Sequence, residues 1–294
     1  MGFGPYLLLA TLEGLVTAAV LCLMAVGLSL VFGVMRVVNV AHGEFYMLGA
    51  IVAWWVSQAV GTHPAVGFLA ALVLAPVVVG AIAWLCERFV LRRLKYDPEA
   101  TIVATIGILY MLQQAALTFF GPNAQPVAAP FNIRIQLPWF GYSGYKLAII
   151  AISGVLLLGL WAFYRRSRFG LVMRATQLDR ETASTFGIPV ERVFSGVFVL
   201  GAGFAAIAAV LITPIQQAHY LMGQDALLLS FIVVIIGGLG SLGGTVLAAL
   251  LIGVADGVIS VFFSPTLAKM IATGAVALVL VFRPQGLLGK KGAA

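Results

Sequence analysis

The stretch Gly33–Leu48 (GVMRVVNVAHGEFYML) sets Arg36, Asn39, His42 and Glu44 into an N-terminal region that is otherwise largely apolar as far as Val60. Hydrocarbon offers no hydrogen bonds, so every backbone N–H and C=O at membrane depth must be paired inside the protein. Charged side chains and non-helical backbone survive there only where they pack within a bundle or line a cavity. A chain that places such a segment in the membrane is built to handle something polar.

The chain has 294 residues, of which 62% are hydrophobic and 9% charged, and its mean hydropathy is +1.09. Soluble domains carry about 25% charged residues, so the fold class is an all-α polytopic integral membrane protein. The longest polar block, Tyr164–Arg192, is too short to fold outside the bilayer. The chain therefore reads as one transmembrane domain over 1–294, and any soluble machinery belongs to other chains. The net charge of +7 sits in short loops, which encodes orientation rather than affinity for nucleic acid. Cys22 and Cys86 lie inside apolar segments and read as small hydrophobes. The first apolar run lacks a basic leader and a cleavage site, so it reads as a retained helix.

A hydrocarbon core of about 30 Å needs about 20 apolar residues per helix. That window gives spans near 6–34, 44–60, 65–89, 101–120, 146–163, 193–213, 226–239, 244–263 and 266–282, eight or nine transmembrane helices in all. The seventh is short and runs into the glycine-rich stretch 237–244, so it reads as a half-helix. Basic residues follow the third span (Arg88, Arg92, Arg93, Lys95), bracket the fifth and sixth (Arg165, Arg166, Arg168, Arg174, Arg180, Arg192) and follow the last (Arg283, Lys290, Lys291). The positive-inside rule makes those loops cytoplasmic, with the N-terminus outside and the C-terminus inside. Outer loops then fall at Gly61–Pro64, Gly121–Tyr145, Pro214–Gln224 and Ser264–Pro265. The interrupted segments 34–44 and 237–244, one in each half, point to an inverted repeat with its pathway at the interruptions. Two unrelated loops are the alternative.

The polar residues inside the spans are the candidates for a translocation pathway: Asn39, His42, Glu44, Gln114 and Asp256. Arg36, Asn39, His42 and Glu44 can also pair among themselves and with freed backbone groups, so wiring of a broken helix competes with solute contact. A metal site needs three or four ligands, and this pattern does not supply them. An ionised carboxylate at the centre of a bilayer helix costs about 2.5–3.5 kcal/mol on insertion scales. Asp256 is therefore expected to face the bundle interior, as an interhelical hydrogen-bond partner or a pathway group.

Within the loop 165–191, periodic Leu171, Val172, Ala175, Ala183 and Phe186 predict one short amphipathic helix stopped by Gly187-Ile188-Pro189. Glu181, Ala183 and Gly187 fit the E-x-A-x-x-x-G core of the loop by which permeases of ATP-binding-cassette (ABC) importers dock on their ATPases. The downstream part departs from that pattern at Val197 and lacks a proline near Leu200.

The chain resembles the LivH-type permease subunits of branched-chain amino acid ABC importers. Four stretches carry the resemblance: Gly27–Gly49 with Asn39-Val-Ala-His42-Gly43-Glu44; Glu87-Arg88 with Leu91-Arg92; Arg174–Ile188; and Gly237–Gly253 with the terminal Arg283-Pro284-Gln285-Gly286. The resemblance implies a bacterial or archaeal cytoplasmic-membrane protein that forms half of a pathway for branched-chain amino acids or a related small polar solute. It also implies a second related permease, two cytoplasmic ATPases carrying ATP and Mg, and an extracytoplasmic substrate-binding protein. The coupling role falls to Arg174, Glu181, Ala183 and Gly187. No G-x-x-x-x-G-K-[ST] phosphate loop occurs in the sequence, so neither ATPase activity nor a cofactor is expected on this chain. The rival reading is an ion-gradient-driven transporter or channel using Glu44, His42 and Asp256. A membrane enzyme would need converging catalytic side chains, and the sequence offers only scattered ones.

Overall fold

The computed structural model describes residues 3–283 and 285–288. Its centre is α1 (Phe3–Met35), a helix of 33 residues and so about 50 Å long. The helix is apolar on all sides and is buried without a break from Ala18 to Val31, as a helix surrounded by others must be. Its neighbours approach through small residues, which bring helix backbones together in the absence of a hydrophobic driving force. Along α10 (Leu242–Phe262) the contact runs through Gly14 with Gly257 and Ala18 with Gly253, closed by a Thr245 to Ser29 hydroxyl hydrogen bond of 3.0 Å. Across α8 (Val190–Gln216) it falls at Gly27 and Gly201, where a β-carbon on Gly27 would lie 2.6 Å from the Gly201 carbonyl oxygen.

After α1 the chain turns at Arg36 (φ 55°) and returns along the helix it has just left. When α2 (His42–Val60) begins, His42 lies against the carbonyl of Met24, eleven residues or about 16 Å back from Met35. α2 therefore starts inside the protein rather than at a surface. The second half repeats the device in the opposite direction. α8 ends at Gln216, Gln217 turns with φ 64°, and the chain re-enters before α9 (Met222–Gly237) begins. The turn is held by mutual backbone hydrogen bonds of 2.7 and 2.8 Å between Gln125 and Ala218. The first residues of α2 and α9 then meet, since a β-carbon on Gly43 would lie 2.5 Å from the Gly223 carbonyl oxygen.

α3 (Pro64–Cys86) continues through a π-helical turn, Glu87–Leu91, and packs on α8 as α10 packs on α1. An inverted repeat is thus present, α1–α2–α3 against α8–α9–α10. The counterpart of the first break is 217–221, which reads in sequence as outer loop. The glycine-rich 237–244 is instead a tight turn at the basic end of the molecule, where Gly237 and Gly244 stack and Gln177 donates to the Gly240 carbonyl at 3.2 Å. The C-terminal residues fold back onto this turn through a 2.7 Å hydrogen bond from Leu287 N–H to Ile236 O. Pro284, Lys290 and Lys291 lie outside the described residues.

α4 (Pro98–Phe120), α5 (Gly144–Arg166) and α11 (Pro265–Phe282) stand at the periphery with apolar residues outward. Six of the described helices are long and apolar enough to cross a membrane, with α2, α9 and α11 adding shorter or more polar ones. A small hairpin, β1 (Arg134–Gln136) paired antiparallel with β2 (Gly141–Ser143), closes the end opposite the basic loops.

The Gly27–Gly201 crossing gives a direct test. Gly27→Ala is expected to lower the thermal unfolding temperature in detergent, because backbone must move, at a cost of about 1–3 kcal/mol. Gly107→Ala on α4, where nothing lies within 4 Å of the added carbon, is expected to leave it unchanged or raise it.

Candidate functional site

Polar side chains gather in two regions, one at the meeting of α2 and α9 and one at the basic end. In the first, Asn39 wires the break: its side-chain oxygen accepts from the Ala41 N–H at 3.1 Å and its carbonyl accepts from the His42 N–H at 3.4 Å. His42 is fully buried, and because its 3.1 Å partner is the Met24 carbonyl, Nε2 must carry the proton and donate. That leaves Nδ1 as a bare acceptor, and it has no partner among the described residues. Glu44 is 1% exposed and neither carboxyl oxygen has a partner there. Leaving a buried polar atom unpaired costs about 1–3 kcal/mol, so these three atoms are where water or a polar solute would be bound.

Both re-entrant helices begin without a side-chain cap and carry an acid in the first turn, Glu44 on α2 and Asp225 on α9. A carboxylate at that position complements the positive end of the helix dipole. The expected side-chain network among Arg36, Asn39, His42 and Glu44 does not form. Asn39 and His42 bond to backbone, while Arg36 is exposed and faces Asp179 at the basic end.

The structure separates the other two pathway candidates from this cluster. Gln114 lies on an exposed side of α4, and its neighbour Gln113 turns inward with Nε2 unpaired among the described residues. Asp256 sits on the flank of α10 next to the Gly257–Gly14 contact and is partly exposed rather than enclosed. Its charged neighbour is Lys269 on α11, which pairs with Asp225 at 2.8 Å. Glu13 pairs with Lys146 of α5 at 2.6 Å, away from both regions.

At the basic end the loop holds two helices rather than one, α6 (Arg168–Leu178) and α7 (Arg180–Thr185). Asp179 divides them by capping α7, accepting from the Glu181 and Thr182 amides at 2.9 and 3.1 Å. The Thr182 hydroxyl and these amides hold the Asp179 carboxyl below the usual carboxylate range. A depressed folded value means that the cap is intact at neutral pH and is lost only as pH falls through that lowered value.

The E-x-A-x-x-x-G spacing has a local cause at the other end of α7. Gly187 (φ 81°) donates to Ser184 O at 2.9 Å and Ile188 N–H donates to Ala183 O at 3.1 Å. These two bonds form a Schellman stop, with alanine at the third residue from the end and glycine in the left-handed position after the cap. Ala183 is buried, whereas Glu181 is exposed and Phe186 is 82% exposed. Arg174 points inward, donating to the last carbonyls of α5 at Tyr164 and Arg165, so its role is to fasten α6.

Sequence reasoning missed the knot that joins α7 to the membrane helices. Glu87, fully buried in the π turn, accepts from the Tyr96 hydroxyl and from the Ser195 hydroxyl of α8, each at 2.5 Å. The Arg180 guanidinium stacks over Tyr96 and Phe194 at 5.8 and 5.1 Å, and Arg92 pairs with Glu191. An acid at the end of an apolar span, Cys86-Glu87-Arg88, was the available signal. Beside the knot opens a groove of about 840 Å³, lined by Arg92, Arg180, Glu181, Ile188, Glu191 and Arg192 among others. Glu87→Leu is expected to strand two hydroxyl donors and to lower stability by about 1–3 kcal/mol, read as a fall in unfolding temperature. Tyr96→Phe in the same background should recover part of the loss.

A family model described as the branched-chain amino acid transport system permease component matches residues 10–281. The high-affinity branched-chain amino acid permease LivH of Escherichia coli K12 is 29% identical, with 97% of this chain and 96% of that protein covered. BraD of Pseudomonas aeruginosa is 29% identical over 95% and 94% of the two chains. LivM of E. coli is 24% identical, covering 90% of this chain and 67% of LivM. With the family match running from α1 to α11, the chain belongs to the family of permease components of branched-chain amino acid transport systems.

Proposed function

We propose that this permease component forms one half of the pathway of an ABC importer for branched-chain amino acids or a closely related small polar solute. In this reading it works with a second related permease, two cytoplasmic ATPases that hold ATP and Mg, and an extracytoplasmic binding protein. The observation that carries the reading is α7. It is a capped, stopped helix outside the bundle, with Glu181 and Phe186 outward and a groove of alternating charge beside it. A helix so presented is a surface for another protein.

The positive-inside rule places this end in the cytoplasm, with the 121–143 loop and the 217–221 turn outside. Closure of the ATPases would press on α7. Arg180 passes that motion to the Tyr96–Phe194 pair and so to α3 and α8, and Asp179 faces Arg36 at the end of α1. α1 and α8 carry the two re-entrant turns, so displacing them moves the first turns of α2 and α9 against each other. Glu44 and the free Nδ1 of His42 give the passing solute or its water polar partners.

The test is uptake of labelled leucine and urea in proteoliposomes by this chain alone and by the full assembly, with and without ATP on the ATPase side. Uptake is expected only from the full assembly with ATP. Gradient-driven uptake by the chain alone would replace this reading with the ion-coupled one. Gly187→Pro cannot adopt φ 81° and is expected to insert normally but to lose ATP-coupled uptake. Normal coupled uptake by that variant would refute the docking role of α7.

A further inference from the structure

Along the outside of the α3–α8 pair runs an apolar groove of about 620 Å³, lined by Pro76, Gly80 and Trp84 of α3 and by Val199, Gly203 and Ile207 of α8, among others. Pro76, Gly80 and Gly203 contribute little or no side chain, and the packing of the two helices does not explain it. At Gly27 and Gly201 backbone fills the place a side chain would take. A β-carbon on Gly203, by contrast, would meet only the Pro76 β-carbon at 3.6 Å, an ordinary contact, and one on Gly80 only a Val199 methyl at 3.2 Å. Glycine weakens a helix, so two glycines standing where alanine would nearly fit give up helix strength for an open groove.

One end of the groove lies at a membrane interface. Trp84 stands there with the Arg88 guanidinium 5.3 Å from its ring, and α5 repeats the pair in Trp161 and Arg165 at 4.8 Å. Tryptophans backed by arginines mark the level where hydrocarbon meets headgroups. From Trp84 to Pro76, and from Val199 to Ile207, the lining runs about 12 Å, close to the depth of one leaflet, about 15 Å. Beyond it the same stripe of α3 carries exposed Val73 and Leu69. A helix of a neighbouring subunit crosses both leaflets and would meet those side chains first, whereas a flexible chain entering at Trp84 stops where the groove stops. The cation at the mouth is unmatched. Arg92 pairs with Glu191, and Glu87 turns inward onto Tyr96 and Ser195, so among the described residues no carboxylate pairs with Arg88. A guanidinium binds phosphate through two parallel hydrogen bonds. The positive-inside rule makes this the cytoplasmic leaflet, whose lipids give it a negative surface.

We propose that the α3–α8 groove is a site for an anionic phospholipid, with one acyl chain lying from Trp84 to Pro76 and the phosphate on Arg88. Val199 is one turn from Ser195, so the seated chain braces the same pair of helices that Glu87 ties together. The site requires that the chain span a membrane and is independent of the solute carried.

The experiment uses the full chain, alone and in the complete assembly, in phosphatidylcholine vesicles holding a small fraction of phosphatidylglycerol with a diazirine in one acyl chain. After irradiation the labelled residues are located by peptide mass spectrometry, with diazirine-bearing phosphatidylcholine as the reference. Phosphatidylglycerol is expected to label 76–84 and 199–207 about fivefold more than phosphatidylcholine does, the preference one basic residue confers near a charged headgroup. Arg88→Gln is expected to abolish that preference, Arg88→Lys to keep part of it, and Arg165→Gln, on the matching pair of α5, to leave it unchanged. Gly203→Val, which fills the groove, is expected to lower labelling by both lipids. Equal labelling by the two lipids, the same loss from Arg165→Gln as from Arg88→Gln, or labelling indifferent to Gly203→Val would overturn the site. Labelling of the lone chain that vanishes in the assembly would also overturn it, by assigning the groove to another subunit.

Discussion

The arrangement depends on two points of backbone contact, Gly27 with Gly201 and Gly43 with Gly223. Hydrocarbon will not accept an unpaired peptide group, so a chain that breaks its helices at depth must surround the breaks with protein. The first contact brings the two longest buried helices, α1 and α8, together. The second sets the first turns of α2 and α9 against each other, so that the helix following each break is closed by the helix following the other. A side chain at any of the four positions would separate the halves by the width of a methyl group or more. The polar interior could then not be sealed.

Within that frame the polar groups divide by what they can pair with. Asn39 and the Nε2 of His42 repair backbone and so belong to the architecture. Glu44 and the Nδ1 of His42 repair nothing and are left with capacity for a ligand. At the basic end the same distinction holds. Arg174 and Asp179 close helix ends, whereas Glu181, Phe186 and the neighbouring charged groove are turned outward. Buried Glu87 links the two regions, since through Tyr96 and Ser195 it fastens the segment that contacts α7 to α8. Movement at the outer helix therefore has a short, well-packed route to the helices that hold the breaks.

Much of this was legible in the residues. Hydropathy located every membrane helix to within a few residues, because a span of fixed thickness demands a fixed number of apolar residues. The polar insert around Asn39–Glu44 announced a break, and the apolar period from Leu171 to Phe186 announced helix outside the spans that stops at Gly187. Other features left no such mark. Residues 217–221 look like an ordinary loop, since a re-entrant turn and a surface turn use the same polar and aromatic residues. The division of 165–191 at Asp179 was hidden because aspartate is tolerated within a helix as well as at its start.

The sequence by itself determined that the chain is an all-α membrane protein, where its helices run, and that a polar break lies in the first half. Each is set by local composition against the thickness and dielectric of the bilayer, which act on every segment separately. Only the tertiary structure decided which break answers which, that Glu44 is enclosed while Asp256 is not, and that Asp225 and Lys269 meet from helices 44 residues apart. Those outcomes turn on which helix faces touch. Glycines and small residues permit close contact almost anywhere along a span, so the choice among contacts is made by the whole bundle at once.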